Sequence, residues 1–193
     1  MHHRKAHRHK GRGHHHSNRH RRKHVHRRVH HRSHRRPHVS TPVRTGPDLC
    51  AYSPRSNQWG TQPTVAAIER AAAMFAGPRD GRLAVGDVSR WGGGSFWPHH
   101  SHRIGMDADI RPARRDGRQC RKGTAWYRRS YDRPATRAMI RAIRRGAHGM
   151  VKQILFNDPA LVRAGLTRWW PGHDDHLHVQ FCRRHYRIRA YAC

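Results

Sequence analysis

HHSHRIGMDADI, residues 99–110, is the stretch on which both fold and chemistry turn. After Gly105 the run 106–110 is short and apolar apart from two aspartates, the pattern of a brief buried strand. Side chains alternate along a strand, so Ile110 is expected to pack inward while Asp109 faces the other way, toward a site. Gly105 permits the turn between that strand and the histidines His99, His100 and His102. A second stretch, GHDDHLHVQF at 172–181, repeats the theme. Its residues 177–181 read as a strand start, which places His176 and His178 on one face.

Outside the N-terminal tract, six of the remaining eight histidines fall in these two clusters. His148 and His185 read as ordinary surface or core residues. A catalytic zinc takes three protein ligands, often imidazole nitrogen and carboxylate oxygen, and keeps one position open for water. His102, Asp109 and His178 can supply that set. Of His173 and His176, one would accept the water proton and pass it to a leaving amine, while the other, protonated, would stabilise an oxyanion. The sequence leaves the order open. Asp174 and Asp175 read equally as partners orienting these imidazoles or as a surface turn.

Working outward, residues 62–76 place Val65, Ile68, Ala72 and Phe75 on one stripe of a helix, with Thr61 as N-cap and Pro63 in the first turn. Residues 82–88 read as a strand, and Gly92, Gly93 and Gly94 as a loop bending around the site. Residues 111–123 read as a polar surface loop. A second helix is expected over 135–145, a strand over 151–156 and a short helix over 159–164. Trp91, Trp97, Trp169 and Trp170 read first as core and second as walls of a substrate cleft. The mixture predicts an α+β domain: a small antiparallel sheet with flanking helices and a zinc site.

The composition splits the 193 residues in two. Residues 1–44 hold 14 of the 22 His and 15 of the 41 Lys+Arg, with no acidic residue. A mean hydropathy of −1.06 and a formal charge of +30 would describe a disordered polycation if spread evenly. Concentrated in the tract, they predict a disordered basic tail over 1–44 before a domain over 45–193. The tail should adhere to polyanions, touching nucleic acid only non-specifically, and His14, His15 and His16 would chelate metals weakly. No run of 18 apolar residues suggests a transmembrane segment, and no apolar stretch follows the basic start as a secretory signal would. Cys50, Cys120, Cys182 and Cys193 are too far apart for a CxxC pair, and their even number fits two disulfides of an exported protein.

VGDVSRWGGGSFWPHHSHRIGMDADI followed by WWPGHDDHLHVQF resembles the penicillin-insensitive murein endopeptidases, zinc peptidases of the wider group that includes D-Ala-D-Ala dipeptidases and lysostaphin-type enzymes. The shared elements are the Gly-rich loop, HxxH before GxDxDI, and GHDDHxHV, over about residues 83–182. The resemblance implies zinc on His102, Asp109 and His178, active-site roles for His173 and His176, and His99 as a candidate for an additional metal. No partner carboxylate for a second site is evident in the sequence. The implied substrate is peptidoglycan at its D-alanyl–meso-diaminopimelyl bond, in the periplasm or cell wall, with anionic wall polymers as partners of the tail. Family members tie their termini together, which favours Cys50–Cys193 and leaves Cys120–Cys182. A D,D- or L,D-carboxypeptidase or dipeptidase on the same scaffold is the alternative enzyme. A basic polyanion- or metal-binding protein acting through its tail is the alternative outside enzymology.

Overall fold

The computed structural model describes residues 38–76, 81–184 and 188–193. Most of the expected tail, residues 1–37, lies outside the described residues, as does His185. The last seven residues assigned to that tail are partly packed: Val39 and Val43 are buried, His38 and Arg44 are exposed, and β1 (Thr41–Pro42) pairs antiparallel with β3 (Trp59–Gly60). Between them β2 (Leu49–Ala51) forms one edge of the main sheet. Three residues are too few to show an alternation, so nothing in the sequence pattern marks this strand.

Helix α1 (Gln62–Ala76) occupies the predicted span, and its stripe of Val65, Ile68, Ala72 and Phe75 is buried. Thr61 Oγ1 accepts the Thr64 N–H at 3.4 Å, which answers one of the donors that a helix start leaves open. Strand β4 (Leu83–Val85) follows, then β5 (Asp107–Ile110) and helix α2 (Arg133–Gly146). Asp132 caps α2 by accepting the Ala135 N–H at 2.9 Å. Its buried Met139, Ile140 and Ile143 join Ile68 and Phe75 in one core, each contributing roughly 1.5–3 kcal/mol by leaving water. Strand β6 (Val151–Leu155), the short α3 (Pro159–Arg163) and β7 (Leu177–Phe181) complete the fold.

The main sheet runs β2-β4-β5-β7-β6, antiparallel except at the β2–β4 edge, which is parallel. The protein is therefore α+β, as its pattern predicts. Among the described residues no helix is long and apolar enough to cross a membrane. The loop after β5 is more than surface: Ala113 and Gln119 are buried, and Gln119 Nε2 donates to the Arg82 carbonyl at 2.8 Å.

All four cysteines are bridged, but not as expected. The pairs are Cys50–Cys120 and Cys182–Cys193, in place of Cys50–Cys193 and Cys120–Cys182. The strand order explains the correction. Cys50 sits on the β2 edge, where the loop after β5 folds back through Gln119 and presents Cys120. Cys182 follows β7, two strands beyond β4, and the chain end doubles back on it through the Arg183–Ala192 bridge. The two ends of the domain are thus closed separately.

Candidate metal centre

Strands β5 and β7 are neighbours, and their register sets Asp109 directly opposite His178. Paired residues on one sheet face bring their Cβ atoms within about 4.5–5.5 Å, so this contact follows from backbone pairing alone. His178 Nδ1 lies 3.0 Å from Asp109 Oδ1. His102 arrives from the loop before β5. Its backbone sits at φ 54°, and Gly105, at φ 65°, makes the turn beneath it. A Cβ at Gly105 would come within 3.0 Å of the Gly60 backbone, so that turn also needs the missing side chain.

His102 is fully buried, and its Nδ1 lies 2.9 Å from the Val88 carbonyl. A carbonyl only accepts, so Nδ1 carries the proton and Nε2 is left with a lone pair. That Nε2 is 3.1 Å from His178 Nδ1 and 3.2 Å from Asp109 Oδ1. His178 Nε2 is 3.4 Å from Asp107 Oδ1, and Asp107 Oδ2 accepts the His102 backbone N–H and the Tyr191 hydroxyl. Three electron-rich atoms therefore converge in a buried place, where they repel unless a proton or a cation lies among them. The electrostatics express the same demand. Burial opposes a charged His178, yet Asp107 and Asp109 push its pKa up to about 9. Burial likewise opposes the Asp109 carboxylate, and hydrogen bonds with His102 and His178 hold it below the usual range.

His99 joins this group. Ligand atoms of His99, His102 and Asp109 lie within 4.8 Å of one another and could hold a metal ion. Its Nε2 is 2.8 Å from Asp87 Oδ2, and that hydrogen bond raises the His99 pKa against the effect of burial. Asp87 is thus a carboxylate partner that the sequence did not reveal. Nothing in its local pattern marks it; Asp107, which lies on the same strand as Asp109, was likewise not singled out by the sequence.

His176 lies beside the cluster, its Nε2 3.8 Å from Asp109 Oδ1 and its Nδ1 2.9 Å from Asp175 Oδ1. Asp175, whose pKa that hydrogen bond lowers, is the aspartate of the pair that orients an imidazole. Asp174 instead ties down the turn, accepting from Asn157 Nδ2 at 2.9 Å and Trp126 Nε1 at 3.1 Å. His173 stacks near His176 with ring centroids 4.8 Å apart, and burial lowers its pKa. Its Nδ1 is 2.9 Å from the Pro171 carbonyl, which fixes the proton there. The structure thus brings together His99, His102, Asp109, His173, His176 and His178, and leaves His100 and His148 exposed. Gly92, Gly93 and Gly94 all take positive φ in the loop before the first cluster. Trp91, Trp97, Trp169 and Trp170 are 58–83% exposed, against the expectation of core, on the two loops that carry the histidine clusters.

No curated protein matches this sequence. A family model for penicillin-insensitive murein endopeptidase matches residues 45–145, which hold the first cluster and both aspartates of β5. The second cluster lies beyond the matched segment, and only the β5–β7 register brings it to the first. With more than half of its length matched, this chain belongs to the penicillin-insensitive murein endopeptidase family.

Proposed function

We propose that this chain is a zinc-dependent murein endopeptidase that acts outside the cytoplasm on the D-alanyl–meso-diaminopimelyl cross-link. The observation that carries the reading is the triplet His102 Nε2, Asp109 Oδ1 and His178 Nδ1, mutually 3.0–3.2 Å apart. Tetrahedral ligands at about 2.0–2.1 Å from zinc stand roughly 3.3 Å from each other, so these three atoms fit as its ligands. Zinc held there supplies Lewis-acid activation of a water and of the scissile carbonyl.

The chain's own residues do the rest. His176, held by Asp175 and nearest the triplet, accepts the water proton. His173, kept neutral by burial, relays that proton to the leaving amine. His99, anchored on Asp87, steadies the side of the cluster away from β7. We also propose that the chemistry resides in residues 38–193, and that the basic stretch before His38 attracts the enzyme to anionic wall polymers.

The test is digestion of purified sacculi with and without a chelator, read by mass spectrometry. Muropeptide dimers should fall to monomers, the chelator should stop it, and zinc should restore it. Loss of terminal D-Ala with dimers intact would make the chain a carboxypeptidase instead.

A further inference from the structure

Beside the metal cluster lies a cavity of about 230 Å³ whose walls include Asp109, His176, Tyr52 and Arg111. Arg111 follows β5 and continues its ladder, its backbone N–H donating to the Ala84 carbonyl at 3.0 Å. Two residues beyond Asp109, it shares Asp109's face of the sheet. Its guanidinium lies over the Tyr52 ring, 3.9 Å from the centroid, and Nη1 donates to the Gln119 carbonyl at 3.1 Å. The platform beneath it is fixed, because Tyr52 lies so close against Gly86 that a Cβ there would collide with the ring.

Arg114 and Arg133 each grip an aspartate, at 2.7 Å and 2.6 Å. Among the described residues no carboxylate lies within 4.0 Å of the Arg111 guanidinium. The other two carboxylates on the cavity, Asp87 and Asp175, are engaged by His99 and His176. A planar guanidinium stacked on an aromatic ring and tied through one nitrogen still has the N–H donors of its other nitrogens to offer a carboxylate. An unmatched, pre-positioned Arg next to a hydrolytic centre is therefore a receptor for a substrate anion.

We infer that Arg111 is the carboxylate-binding subsite of this enzyme, holding the carboxylate on the carbon that bears the scissile nitrogen. The inference rests on the proposed cross-link reading, since in that linkage this carboxylate is the one closest to the bond cut. It makes Arg111 a specificity residue: peptides with a neutral group at that carbon lose the contact.

The experiment compares two muropeptide dimers, one with this carboxylate free and one with it amidated, on the full chain and its Arg111→Gln and Arg111→Lys variants. The wild type should favour the free acid about ten- to hundredfold in kcat/KM, the range expected of one charge-assisted contact. Arg111→Gln should cut both dimers alike, its preference for the free acid lost, and Arg111→Lys should keep part of that preference. Binding of the product monomer, measured by calorimetry, should weaken by the same factor in Arg111→Gln. An acid preference unchanged in Arg111→Gln overturns the inference. If the wild type cuts neither dimer, the cross-link reading falls, and the calorimetric comparison still decides whether Arg111 binds the carboxylate.

Discussion

The two halves of the site are built differently. Asp109 and His178 stand on paired central strands, both buried, and their meeting is a matter of register. His99, His102, His173 and His176 come from loops, and each needs its own fastening. His102 is fixed by the Val88 carbonyl and Asp107, His99 by Asp87, His176 by Asp175, and His173 by Pro171. Strand-borne groups hold their places because the whole sheet would have to slip to move them. Loop-borne groups are held by one or two hydrogen bonds each; His102 is fully buried among its fastenings, whereas His99, His173 and His176 stay within reach of solvent, which suits the proton-exchanging roles proposed for His173 and His176.

The sharpest way to break this comparison is on the strands. Asp109→Ala or His178→Ala should eliminate bound zinc and abolish cleavage, read by elemental analysis beside a muropeptide assay. Full zinc in His178→Ala would remove the strand pair from the ligand set. On the loop side, His176→Ala should keep its zinc and lose about 10²–10⁴-fold in kcat, the usual worth of a positioned acid–base group. Loss of zinc in that variant would erase the distinction between the halves.

A third change loosens the loop side without touching the cluster. Asp158, fully buried, caps α3 through the Ala160 N–H and binds the Tyr131 hydroxyl and Arg133. Its neighbour Asn157 holds the second histidine loop, bonding Trp170, His173 and Asp174. Asp158→Ala should cost about 2–4 kcal/mol of stability while zinc binding survives in the folded protein. Burial opposes the Asp158 carboxylate, but Arg133 and Tyr131 hold its pKa below the ordinary value. A carboxylate with a lowered folded-state pKa stabilises most above its unfolded pKa, near 3.9, and loses that contribution as pH falls through the folded value. The difference in Tm between wild type and Asp158→Ala should therefore be steady from pH 5 to 7 and shrink below about pH 4.

The smallest effect is expected from residues 1–37, whose removal leaves Val39 and β1 in place. Cleavage of a soluble muropeptide should not change. Digestion of intact sacculi should slow a few-fold at low salt, and the gap should close as salt passes about 0.15 M, where the Debye length is about 8 Å. A truncation that stops soluble cleavage with zinc still bound would place the tail in the chemistry.

Local periodicity made much of the molecule legible. The stripe of Val65, Ile68, Ala72 and Phe75 fixed α1, and the alternation in 106–110 and 177–181 gave the faces of Asp109 and His178. Short elements without a period, such as β2, were not legible.

By itself the sequence determined which side chains have chemistry to offer, because histidine clusters at fixed offsets on strand starts declare their own direction. Only the tertiary structure decided which distant partners meet: Cys50 with Cys120, Asp87 with His99, and Arg111 with Tyr52. Those pairings depend on strand order and on how loops fold back across a sheet edge. Such contacts join positions 12 to 70 residues apart, and no local period in the chain encodes them.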